Sequence, residues 1–180
     1  MTSPATTLPT AGGGARVALV TGASSGLGRA TALALAQDGL SLALAGRNAD
    51  RLKAVQAACG AAPTHTIEAE LTEDAAPARV VDEVLGRFGR LDVLVNSAGI
   101  IGSGPARAET DAAFDRMLDI NLRAVWRLTR AAIPALEKTR GAIVNLSSVA
   151  GLRAYVGIMS YCVSKAAVDQ LTRCLALELG

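Results

Sequence analysis

Short apolar runs alternate along the chain with longer segments that are apolar on one face only. Val17 to Val20, Leu40 to Ala45, Leu91 to Val95 and Ala142 to Leu146 are such runs, and Thr64 to Ala69 is a weaker one. Runs of this length, rich in Val, Leu, Ile and Ala, predict strands buried on both faces. Between them, apolar residues recur at helical spacing over Arg29 to Asp38, Asp50 to Cys59, Thr72 to about Phe88, and about Thr110 to Lys138. A last helical segment runs from near Tyr155 to the C-terminus. Asn48 or Asp50 is placed to cap the second helix, and Thr72 the third, with Glu73 and Asp74 in its first turn. Pro134 is expected to trim or kink the fourth. Strands alternating with helices predict βαβ units, right-handed crossovers and helices on both faces of a parallel sheet. The predicted fold is α/β, a doubly wound, Rossmann-like parallel sheet of five strands with its ligand crevice at the strand carboxyl ends. One domain is expected over residues 16–180, behind a mobile tail at residues 1–15.

Composition narrows the functional classes. The chain is 51% hydrophobic but 3% aromatic, so its core is aliphatic. The formal net charge is +2, with acids and bases scattered and no basic run interleaved with aromatics, so no nucleic-acid surface is expected. No apolar run reaches the roughly 18 residues of a membrane span. Cys59, Cys162 and Cys174 lack metal or redox spacing, and residues 1–15 lack the pattern of a secretory leader. Free thiols in a reducing, cytoplasmic setting are therefore expected. His65 is the one histidine, so a His-ligated metal site is not expected.

The candidate chemistry sits at strand ends and in the last helix. Gly22-x-x-x-Gly26-x-Gly28 follows the first strand and opens a helix. Glycine permits a tight turn and close approach to a phosphate, and a helix start offers unpaired N–H groups to an anion. The spacing is neither Gly-x-Gly-x-x-Gly nor a P-loop. After the second strand stands Gly46-Arg47-Asn48, with no acid to hold a ribose 2′-hydroxyl. Arg47 could instead meet a 2′-phosphate, which favours NADP over NAD. In the last helix Tyr161 and Lys165 are four residues apart, hence on one face. A phenol titrates near pH 10, and a neighbouring ammonium favours its charged form.

Taken together, Thr21-Gly22-x-x-x-Gly26-x-Gly28, Asn96-Ser97-Ala98-Gly99, Asn121, Ser148 and Tyr161-x-x-x-Lys165 resemble the short-chain dehydrogenase/reductase (SDR) family from about Arg16 onward. The resemblance implies a catalytic tetrad. Tyr161 would be the acid–base at a carbonyl or alcohol oxygen. Lys165 would assist it and hold the nicotinamide ribose, Ser148 would bond the reacting oxygen, and Asn121 would hold a water linking Lys165 to solvent. Gly22, Ser24, Ser25, Gly26, Leu27, Gly28, Arg47, Asn48, Glu70, Leu71, Asn96, Ala98 and Gly99 would contact the cofactor, NADP(H) in preference to NAD(H). Two positions depart from the family pattern: Ser97 replaces an asparagine, and Glu70 stands for an aspartate that meets adenine.

The same resemblance implies that the chain is truncated after the fifth strand and its following helix. Members usually continue past the point where Gly180 stands, with two more strands and a substrate-covering lid. A fragment of a longer enzyme and a naturally short form both fit. The fifth strand would then be an apolar edge. Leu122, Trp126, Thr129 and Ile133 on the long helix, with Val163, Ala167, Cys174 and Leu177 on the last, form second apolar stripes. Such stripes call for a cover, and the resemblance implies a homodimer or homotetramer through these two helices. The reading is an oxidoreductase acting on a small carbonyl or alcohol. The alternative is a non-catalytic nucleotide-binding or dimerising protein of the same fold.

Overall fold

In the computed structural model, which describes residues 14–180, five parallel strands alternate with helices. The strands are β1 (Val17–Thr21), β2 (Ser41–Gly46), β3 (Thr64–Glu68), β4 (Val93–Asn96) and β5 (Ala142–Asn145). The helices are α1 (Gly26–Gln37), α2 (Ala49–Ala58), α3 (Ala76–Phe88), α4 (Asp111–Leu118), α5 (Ala124–Thr139) and α6 (Met159–Leu179). The sheet order is β3-β2-β1-β4-β5, with every neighbouring pair parallel. The chain thus reverses its direction of winding between β1 and β4, where a doubly wound sheet opens its crevice. Most of the expected tail falls outside the described residues.

Alternation along the strands builds one core on each face. Leu19, Ala43, Ile67 and Leu94 pack on one side with Val80, Val84, Leu128 and Ala132 of α3 and α5. Ala18, Val20, Leu42, Leu44, Val93 and Val95 pack on the other with Ala32, Leu52 and Val55 of α1 and α2. Each fully buried leucine contributes about 1.5–3 kcal/mol relative to exposure. β5 forms an edge, and Val144 on it is 47% exposed.

Several boundaries differ from the sequence expectation. α1 begins at Gly26 rather than Arg29, so the glycine turn supplies the helix's first residues. α3 begins at Ala76, not after Thr72. The Thr72 hydroxyl turns to Glu70 and donates to its Oε1 (3.0 Å), while Pro77 presets the later start. Asp74 instead pairs with Arg127 of α5 at 2.8 Å. α6 begins at Met159 rather than Tyr155, because Gly157 takes φ +81°, a left-handed geometry that ends any helical run. Asn48 rather than Asp50 caps α2, accepting from Arg51 N at 2.8 Å.

The segment expected as one long helix is two. A single π-helical turn, Asp119–Arg123, joins α4 to α5. Thr110 caps α4, and α5 runs past Pro134 to Thr139. The proposed outer stripe on α5 also loses a member. Thr129 is buried and accepts from Asn96 Nδ2 (3.0 Å), so it faces the sheet rather than a partner.

Candidate functional site

The turn after β1 is shaped by two glycines that nothing larger could replace. Gly22 has φ +62°, and a Cβ there would stand 2.9 Å from Ala98 N and Cα. A Cβ on Gly28 would run into the Gly22 carbonyl oxygen. The β1 turn and the β4 turn are therefore in backbone contact. Thr21 locks them together: its Oγ1 accepts from Ser97 N (3.0 Å) and Ala98 N (3.1 Å). Gly26 differs. Its φ is +52°, and nothing lies within 4 Å of where its Cβ would stand. Ser25 occupies the N-cap of α1 without a side-chain capping bond. The first N–H groups of α1 therefore face open space, an arrangement that suits an anionic oxygen.

This turn opens into a cleft of about 420 Å³ along the carboxyl edge of the sheet. Among the predicted contacts, Gly22, Ser24, Ser25, Gly26, Leu27, Gly28, Arg47, Glu70, Leu71, Asn96, Ala98, Gly99, Tyr161 and Lys165 line it. Asn48, Asn121 and Ser148 stand off the lining. Asn48 is spent as the α2 cap. The Ser148 hydroxyl accepts from Ala150 N (3.1 Å) at the start of a 3₁₀ turn, Val149–Gly151, and its neighbour Ser147 faces the cleft instead. The Asn96 side chain turns away from the cleft and donates to Thr129 Oγ1 and Asn145 Oδ1 (2.8 Å). Asn145 in turn donates to Thr172 of α6 (2.9 Å), so this polar chain fastens α5 and α6 to the sheet.

Tyr161 and Lys165 come together as the four-residue spacing requires, with Lys165 Nζ 5.8 Å from the Tyr161 ring centroid. Lys165 is buried and donates to the Leu146 carbonyl at 2.7 Å. Burial pushes its pKa down, and the Asp169 carboxylate one helical turn on partly offsets this. Among the described residues, Asp169 Oδ2 is buried without a hydrogen-bond partner.

Asn121 lies in the π-turn, fully enclosed. Its Oδ1 accepts from Ile100 N (2.8 Å). Its Nδ2 has three acceptors in reach: Ile100 O (2.9 Å), Ser164 Oγ (3.1 Å) and Met117 Sδ (3.1 Å). Gly99 keeps the space between Asn121 and Lys165 open. A Cβ there would be 3.2 Å from Asn121 Oδ1 and 3.8 Å from Lys165 Nζ. Ser164, fully buried, donates to Tyr161 O (2.8 Å) while accepting from Asn121, and so ties α6 to the π-turn. Sequence reasoning did not single out Ser164 or Asp169. Their signal is a polar residue three or four positions along the helix from the tyrosine or lysine.

Known proteins resemble the chain in sequence and in fold. A sequence model described as short chain dehydrogenase matches residues 16–180. A 3beta-hydroxysteroid dehydrogenase of Mediterraneibacter gnavus is 36% identical over 166 residues, 91% of this chain and 60% of its own length. A levodione reductase of Leifsonia aquatica is 37% identical over 98% of this chain and 68% of its own. The chain thus spans less than two thirds of the first of these relatives. Among solved structures, an alcohol dehydrogenase from Thermococcus sibiricus complexed with 5-hydroxy-NADP superposes with a TM-score of 0.88 at 30% identity. It covers 92% of this chain and 72% of its own. With the parallel sheet, the glycine turn against β4 and the Tyr161–Lys165 pair already placed on one cleft, the chain belongs to the short-chain dehydrogenase family.

Proposed function

We propose that the protein moves a hydride between NADP(H) and a small carbonyl or alcohol, with Tyr161 as the acid–base. One observation carries this reading: Tyr161 and Lys165 line the same cleft as the open turn at Gly26. The nicotinamide, when bound, would supply or take the hydride. The chain's own groups then divide the remaining work. The N–H groups at the start of α1 and the bare Gly26 would receive the pyrophosphate. Tyr161 would give a proton to the carbonyl oxygen, or take one from the alcohol. Lys165 has three N–H donors and commits one to Leu146 O, leaving two for Tyr161 and the ribose. Asn121 Oδ1 keeps a second lone pair beside the gap at Gly99, and a water held there would connect Lys165 to solvent. Ser148 would bond the reacting oxygen. Arg47, exposed at the β2 end of the cleft, is the residue that would meet a 2′-phosphate. Val149, Leu152 and Tyr155 are exposed in the segment between β5 and α6 and would favour an apolar substrate.

The test is carbonyl-dependent loss of NADPH absorbance. Tyr161→Phe should lower turnover by about 10²–10⁴-fold, the scale of a lost general acid, while NADPH still quenches or shifts fluorescence on titration. Turnover that survives in Tyr161→Phe would remove the mechanism.

The second reading, nucleotide binding without catalysis, is favoured by the position of Ser148, which stands off the lining of the cleft. NADPH binding with no turnover of any carbonyl would support it. The proposed partner is a second copy of the chain. Exposed Trp126 on α5, with Val163 and Leu177 on α6, supports a shared face, and a monomeric mass at micromolar concentration would count against it. Among the described residues, no helix is long and apolar enough to cross a membrane.

A further inference from the structure

The adenosine end of the cleft contains an acid that the end of β2 lacks. We infer that Glu70, at the end of β3, sets the choice between the two dinucleotides by holding Arg47 away from a 2′-phosphate. The inference rests on the dinucleotide reading above. Arg47 Nη1 lies 3.5 Å from Glu70 Oε2. The other carboxylate oxygen, Oε1, accepts from Thr72 Oγ1 (3.0 Å) and Thr72 N (3.3 Å). Those two bonds anchor the carboxylate, so Arg47, which is 62% exposed, is the partner that must move.

The surroundings do not supply a surplus of positive charge. Arg47, Glu70 and Thr72 also line a smaller hollow next to the cleft, completed by Asp115, Arg116 and Asp119. Asp119 is paired with Arg123. Arg47 and Arg116 thus share that lining with Glu70 and Asp115, two cations and two carboxylates. A dianionic phosphate entering there would have to separate Arg47 from Glu70 and sit beside that carboxylate, whereas a 2′-hydroxyl need do neither. Many dinucleotide folds carry a ribose-directed acid at the end of β2; here the acid of the neighbouring strand is turned on Arg47 instead. The arginine and the acid therefore oppose each other, and the chain should discriminate weakly.

The experiment is fluorescence titration of the full chain with NADPH and NADH. Glu70→Gln keeps an oxygen for Thr72 and removes the charge. It should tighten NADPH by about twofold to fivefold, the range expected for releasing one exposed ion pair. NADH should move by less than about twofold, since only the 2′-phosphate feels the change. In an Arg47→Ala background the gain for NADPH should shrink to under about twofold if it acts through the arginine. A parallel shift of both nucleotides, no shift, or a full gain without Arg47 would overturn the inference while leaving the proposed function standing. Failure of the unmodified chain to bind either nucleotide would remove both.

Discussion

The two ends of one cleft are held by opposite means. At the β1–β4 end, contacts are backbone on backbone and several polar groups are buried with partners. Gly22 lies against Ala98, Thr21 bonds two consecutive N–H groups, and Asn121 and Lys165 are buried with partners. At the β2–β3 end, one arginine and one glutamate meet at 3.5 Å in solvent. A buried, fully partnered group costs dearly to disturb, whereas an exposed ion pair contributes at most about 1 kcal/mol. The contrast teaches where this fold spends its rigidity. The proposed acid–base pair, Tyr161 and Lys165, sits toward the stiff end, and the Arg47–Glu70 pair proposed to tell one nucleotide from another sits on the soft end.

That contrast can be broken most sharply at Gly28. Valine there would press against the Gly22 carbonyl and Ser97, and should cost about 3 kcal/mol or more, as overpacking against backbone does. Urea unfolding would read the loss, and a near-normal midpoint would show the turn to be slack. Next comes Thr21→Val, which leaves the N–H groups of Ser97 and Ala98 without their acceptor. The expected cost is about 1–3 kcal/mol, the desolvation of unpaired buried donors.

Lys165 gives a gradient rather than a step. Its folded pKa lies below the unfolded value of 10.5, so the unfolded chain binds more protons between the two. Its contribution therefore opposes folding at neutral pH and eases as pH rises through the folded pKa toward 10.5. Relative to Lys165→Met, the unmodified chain should gain stability over that window, and parallel pH curves would refute the assignment. The smallest effect belongs to the soft end. Glu70→Gln, already needed for the titrations, should unfold within about 0.5 kcal/mol of the unmodified chain.

The strands were legible in the sequence because they are buried on both faces, and that leaves unbroken apolar runs at β1, β2 and β4. Helix starts were less so. Thr72 has the chemistry of a cap, but Glu70 takes its hydroxyl, a contest that no periodicity records. The Tyr161–Lys165 pair was readable since both lie on one helix. The groups that hold the pair were not, because their partners are distant in the chain. Asn121 meets Ser164 across 43 positions, and Thr21 meets Ala98 across 77. The α4–α5 division was invisible for another reason: Asp119 to Arg123 contains ordinary helix formers, and one added residue per turn leaves no compositional trace.

That widened turn makes the chain unusually sensitive to length at one place. Around it, α4 and α5 keep a phase set by a single surplus residue, and Asn121 occupies the bulge. Removing one amino acid between Leu118 and Ala124 would let the turn close as ordinary α-helix and take away the bulge that sets the Asn121 amide against Ile100, Ser164 and Met117. Surface loops elsewhere can grow or shrink by a residue with little consequence. Here the spacing itself, more than any side chain, is what natural variation should leave alone.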